Sequence, residues 1–181
     1  MKAFDYFPRY FETIFQRIKS IDSAELEQAA KMVSVAHQKG KKIVIVGNGG
    51  SAAMASHVTV DFTKAAGIRA INFNEADLIT CFANDYGYEQ WVAKALEAYA
   101  DKGDLAILIS SSGKSQNIIN ATEKATEIGL STITLSGFFK DNPLKKSGDL
   151  NLWVDSCEYN VIEMTHHIWL LAIVDYLIEN K

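Results

Sequence analysis

The sequence predicts an α/β protein: a three-layer, doubly wound sheet of five parallel strands, preceded by a helical extension. Two features of its patterning carry that expectation. Five short apolar runs, at 42–46, 69–73, 105–109, 131–135 and 150–154, are each rich in Ile, Val and Leu, as strands buried on both faces are. Helix-period segments separate most of these runs, and that alternation is the mark of a parallel sheet.

The elements follow in chain order. Phe4, Phe7, Phe11, Ile14, Phe15 and Ile18 recur at helical spacing and form one apolar stripe. It is broader than a terminal arm needs, so it predicts packing both on its own domain and on another subunit. A second helix begins near Asp22, an N-cap with Glu25 three residues on, and ends at Gly40. The first strand at 42–46 leads through Gly47-Asn48-Gly49-Gly50-Ser51 into a helix of small residues. After the third strand, Ser110-Ser111-Ser112-Gly113-Lys114-Ser115 opens a helix that Gly129 stops. A nearly all-apolar helix containing residues 168–174 closes the chain.

The chain of 181 residues predicts one domain, with a helical segment at 1–40 and an α/β core at 41–181. Its 48% hydrophobic and 22% charged residues are ordinary for a globular protein. A net charge of -4 supplies no basic field for nucleic acid and no cationic face for a membrane. Cys81 and Cys157 make no disulfide framework and lack the spacing of a metal pair. The start carries Asp5 and no continuous apolar region, unlike a signal peptide, and no apolar run reaches the ~18 residues of a membrane span. The expected location is the cytoplasm.

In doubly wound sheets, ligands bind beyond the carboxyl ends of the strands. Glycines at 47, 49 and 50 permit close approach of a ligand to backbone. Clustered serines at a helix N-terminus suit a phosphate, which the helix dipole also favours. Gly47, Gly49 and Ala52 fit the loose dinucleotide fingerprint, but an oxidoreductase needs a second domain that the chain has no room for. Gly113-Lys114-Ser115 looks like the end of a Walker loop, yet Leu108 stands where that loop needs glycine.

Taken in order, Gly47-Asn48-Gly49-Gly50-Ser51, His57, Asn84-Asp85 and the serine loop resemble the phosphoheptose isomerase branch of the sugar isomerase (SIS) family. The resemblance implies a flavodoxin-like five-stranded parallel sheet and a homotetramer with active sites between subunits. It implies interconversion of sedoheptulose 7-phosphate and heptose 7-phosphate on the way to lipopolysaccharide or related glycans. Ser51, Ser110, Ser111, Ser112 and Ser115 are then expected to hold phosphate, with Asn48, Gly49 and Asp85 at the sugar.

Moving a carbonyl between C1 and C2 needs a general base and acid beside an enediol, and a metal or donor at the developing oxyanion. His57 and Asp61 share one helix face, and Glu163 and His167 repeat that spacing on the last helix. The two pairs are expected to converge, across helices or across subunits, on a divalent metal, zinc, with Asp61, Glu163 and His167 as the acid/base set. His166 is expected beside them at the mouth of the apolar segment. The chain departs from the family at Asp61 for glutamate, Ala65 for an arginine, a short loop at 64–68, Leu171 for a histidine eight residues after Glu163, and Lys114 for asparagine. His167, one turn nearer, takes the histidine's place in this reading. The alternative is a non-catalytic relative, similar to the branch that binds a replication-initiation protein.

Overall fold

The structure, a computed structural model, describes residues 3–180, with side chains from residue 5 onward. The Phe4 side chain, first in the predicted stripe, lies outside the described residues. Helix α1 (Ala3–Ile18) turns Ile14 and Ile18 inward and leaves Phe7, Phe11 and Phe15 exposed. Its end is tied down where Trp169 Nε1 donates to the Ile18 carbonyl at 2.9 Å. Helix α2 (Ser23–Gln38) starts where predicted, with the Asp22 carboxylate accepting from Ala24 N at 3.0 Å.

The core is a five-stranded parallel sheet in the order β2-β1-β3-β4-β5. Its strands are β1 (Ile43–Gly47), β2 (Ala70–Ile71), β3 (Leu105–Ser110), β4 (Ser131–Ser136) and β5 (Leu150–Trp153). All five lie where the apolar runs place them, with shifted ends. Lys42 is not in β1, because its N–H donates to the Asp104 carboxylate and its ammonium lies 2.6 Å from Asp104 and 2.7 Å from Asp101. β2 shrinks to two residues at the sheet edge, paired with β1 alone.

Alternation along β1 shows why each run is apolar throughout. Ile43 and Ile45 join the core under α2, α3 (Gly50–Lys64) and α7 (Tyr159–Glu179). Val44 and Val46 face the core under α5 (Trp91–Tyr99) and α6 (Gln116–Glu127). Between β2 and β3 the chain also forms α4 (Ala76–Tyr86), whose end carries Asn84 and Asp85. A short 3-10 turn, Leu144–Lys146, links β4 to β5.

By length and composition α7 is apolar enough to cross a membrane. In the fold it packs on α1, α2 and α3, and buries Val161, Ile162, Trp169, Leu170, Ile173 and Val174. His166 is buried with them, not at a mouth: it is 0% exposed, and its Nε2 bonds the Ser136 carbonyl at 3.1 Å. It lies on the same face as Ile162 and Trp169, which the helix turns toward the sheet.

Candidate functional site

Strands β1 and β3 are neighbours, yet β1 runs on to one side of the sheet and β3 to the other. That is the topological switch point, and both candidate loops leave from it. After β1, a Cβ on Gly47 would collide with Ser51, so only glycine lets α3 begin this close to the strand end. Gly49 takes φ +55 and caps α3 without a side chain. The first turn of α3 therefore begins at the crevice with the positive end of its dipole there, while Ser51 N and Ala52 N bond the Asn48 and Gly49 carbonyls.

The serine loop after β3 has the same design. Ser115 occupies the N-cap of α6 but makes no side-chain cap hydrogen bond. Ser110 Oγ donates to Ser115 Oγ at 3.0 Å, and Ser112 Oγ accepts from Lys114 N at 3.3 Å. Ser111 Oγ is buried without a protein partner. A buried hydroxyl lacking a partner is costly, and a phosphate oxygen supplies one. Gly113, at φ +65, lies against the Asn142 amide, which leaves no room for a Cβ. Asn142 is itself fixed, donating to the Gly137 and Phe139 carbonyls and accepting from Lys145 N. The ammonium of Lys114 stands 5.2 Å from the Phe139 ring centroid.

The expected sugar contacts differ in their freedom. Asp85 is exposed, with Asn84 Nδ2 2.9 Å from one of its oxygens. Asn48 is already engaged: it pairs with Asn117, and its Oδ1 also accepts from Tyr88 Oη at 3.1 Å. Asn117 and Tyr88 are site residues that sequence reading missed. An asparagine in the first turn of a helix and a tyrosine in a loop carry no signal until the fold joins them.

The expected acid/base and metal residues separate into two groups. Glu163 reaches over the first turn of α3, where a Cβ on Gly50 would collide with its carboxylate. Further down α3, His57 Nδ1 and His167 Nε2 are 3.0 Å apart, and His57 Nε2 is 3.3 Å from Asp61. The four residues do not converge on one point, because Glu163 and His167, a turn apart on α7, meet α3 at different heights. Among the described residues no three His, Cys, Asp or Glu side chains group to hold a metal. The expected zinc ligands therefore make no three-residue group within the described residues of one chain, where the His57 and His167 nitrogens face each other. Burial, and then the neighbouring His57, push the His167 pKa below its ordinary value, against a smaller opposing pull from Asp61. Leu171 packs partly buried against the core beside α7's inward face.

The chain is similar to known proteins over its length. The SIS domain family model matches residues 6–137. The phosphoheptose isomerase of Aliarcobacter butzleri is 36% identical over 177 residues, covering 94% of this chain and 92% of that one. That of Helicobacter pylori strain P12 is 34% identical over 166 residues, 87% of this chain and 85% of its own. Among solved structures, a phosphoheptose isomerase from Francisella tularensis superposes with a TM-score of 0.90 at 28% identity, covering 100% of both chains. One from Neisseria gonorrhoeae gives 0.87 at 27% identity, over 94% of this chain and 95% of the other.

Proposed function

The chain belongs to the SIS domain family, and from that premise we propose that it is an aldose–ketose isomerase of a phosphorylated sugar, acting on sedoheptulose 7-phosphate. The reading places the substrate phosphate in the serine loop, on Ser110, Ser111, Ser112 and Ser115, with Ser51 at the start of α3. Asn48, Gly49 and Asp85 then face the sugar. Lipopolysaccharide or related glycan synthesis is the proposed destination, the cytoplasm the proposed location, and a homotetramer the proposed assembly.

The observation that carries the chemistry is Glu163, whose carboxylate overhangs Gly50 at the end of the glycine loop. We assign it as the base. It takes the C1 proton of the ketose to give the enediol and returns a proton to C2 of the aldose. The N-termini of α3 and α6 place partial positive charge where the enediolate oxygens and the phosphate carry negative charge. Asp61 orients His57, and His57 orients His167. His167, whose contact with His57 fixes its ring, is the proposed carrier of the proton between O1 and O2. No step here is routed through a metal.

One observation favours a second reading. Leu171 fills the position of the family's histidine with an apolar contact, which suits a sugar-phosphate-binding protein without turnover. Incubation with sedoheptulose 7-phosphate in D2O separates the two. The isomerase produces an aldose 7-phosphate, visible by NMR, with solvent deuterium entering at the reacting carbon. Binding without conversion transfers the case to the second reading, and neither binding nor conversion sinks both.

A further inference from the structure

Three segments that face the ligand crevice meet at one side-chain amide. Asn48 Nδ2 donates to Asn117 Oδ1 at 3.0 Å, and Asn117 Nδ2 donates back to Asn48 Oδ1 at 2.9 Å. The second lone pair of Asn48 Oδ1 accepts from Tyr88 Oη at 3.1 Å. Asn120 Nδ2 adds a bond to the Glu89 carbonyl at 2.9 Å, so the segment after Asp85 is tied both to the β1 loop and to α6.

The arrangement answers a structural need. Asn48 stands between Gly47 and Gly49, and the backbone of such a loop has little conformational preference of its own. Something outside it must hold its shape. Asn117, 2% exposed in the first turn of α6, supplies a two-point restraint from the helix that the serine loop opens. The reciprocal pair therefore sets the distance between the phosphate side and the sugar side of the crevice. Tyr88, from the exposed segment between α4 and α5, adds Asp85's side to the same point. The bonds also define what Asn48 can offer. Its Oδ1 is filled, and one N–H is left over, so it can donate to a sugar oxygen but not accept from a hydroxyl.

We propose that Asn117 and Tyr88 are positioning residues which, through Asn48, hold the glycine loop, the serine loop and the Asp85 segment at the spacing the sugar phosphate needs. The proposal rests on the isomerase reading above. It concerns the reach from phosphate to reacting carbons, not phosphate capture itself. A ligand that touches only the serine loop is indifferent to it.

The test compares Tyr88→Phe, Asn117→Ala and the double variant in steady-state kinetics with sedoheptulose 7-phosphate and in competitive inhibition by inorganic phosphate. Tyr88 is 55% exposed, so Tyr88→Phe removes one hydroxyl without burying or emptying anything. The clamp predicts a kcat loss of about tenfold in Tyr88→Phe and more in Asn117→Ala, with the inhibition constant for phosphate within about twofold of wild type. The double variant falls short of the product of the single effects, because both act through Asn48. If Asn117→Ala does not fold, Tyr88→Phe decides alone. Tyr88→Phe with unchanged kcat, or with sugar phosphate and inorganic phosphate weakened in parallel, overturns the clamp. If wild type itself turns nothing over, the isomerase reading has failed and calorimetry replaces kinetics. Tyr88→Phe must then weaken sedoheptulose 7-phosphate and spare inorganic phosphate, or the clamp fails too.

Discussion

Serines at helix starts usually cap, and Ser115 does not. It stands at the N-cap of α6 with its hydroxyl turned to Ser110 instead of to a backbone N–H. Ser115→Ala should therefore cost little stability, while removing one hydrogen bond to a charged phosphate. At about 1.5–3 kcal/mol for such a bond, KM for the sugar phosphate rises at least about tenfold. An unchanged KM with a lowered melting temperature would return Ser115 to the role of a cap. Glu163 calls for the opposite split. Glu163→Gln keeps the shape over Gly50 and removes the base, so kcat falls by about 10²–10⁴ with KM little altered. A Glu163→Gln enzyme of ordinary kcat would pass the base role to Asp61. At this scale the loops were legible because composition alone marks them: four serines in six residues, three glycines in four. The separation of Glu163 from His57 and His167 was not. An i,i+4 spacing tells which face a residue is on, and not which height of the facing helix it meets.

Helix α7 shows what one element does with a group the chemistry does not use. His166 is sealed between the helix and the end of β4, donating Nε2–H to the Ser136 carbonyl while its Nδ1 stays buried without a partner. Burial lowers its pKa to about 4, against a smaller opposing effect of the Ser136 bond. A folded pKa below the unfolded 6.5 means that the contribution to stability is full above pH 6.5 and is lost as pH falls from there toward 4. The size is on the order of 3 kcal/mol. Urea unfolding should show a midpoint that drops between pH 7 and pH 5, and His166→Gln, which retains an N–H donor, should flatten that drop. If the two proteins decline in parallel, other groups dominate. The opposite end of the sheet is held by Lys42, Asp104 and Asp101. Burial works against the lysine's charge, but its bonds to Asp101 and Asp104 outweigh it, and its pKa is raised. Asp104 is 1% exposed, so Asp104→Ala leaves Lys42 with the exposed Asp101 alone and strips the Lys42 and Asp101 N–H groups of their acceptor. The expected cost is about 1–3 kcal/mol by chemical denaturation, without change in KM, since the pair lies far from the ligand end of β1. Strand existence was legible from the apolar runs, and strand ends were not. Lys42 left β1 because of a carboxylate 62 residues further on, and no local window contains that information.

The whole molecule presents more apolar surface than one chain covers. On α1 the side chains of Phe7, Phe11 and Phe15 are 55%, 63% and 51% exposed, and Tyr6 adds another 49%. Only Ile14 and Ile18 of the described stripe turn toward α7. Beyond them, Leu26 and Ala30 of α2 and Ala172 and Ile173 of α7 line a groove of about 250 Å³. Large contiguous patches of this kind on a folded chain mark contacts, and symmetric self-association is the usual way to cover them. The stripe was legible in the sequence because six apolar positions at one period exceed what a terminal helix needs. Which of them face inward was decided only by where α7 lies. The assembly prediction is that the purified protein runs in light scattering at four times its 20.0 kDa chain mass at micromolar concentration. Phe11→Asp places a charge at the centre of the exposed aromatics, next to Phe7 at 6.5 Å between ring centroids. It should shift the mass toward smaller species while leaving the far-ultraviolet circular dichroism of the fold intact, since Phe11 contributes little to the chain's own core. A wild-type monomer at that concentration removes the assembly proposal. A Phe11→Asp protein of unchanged mass moves the interface off α1 and onto the groove between α2 and α7.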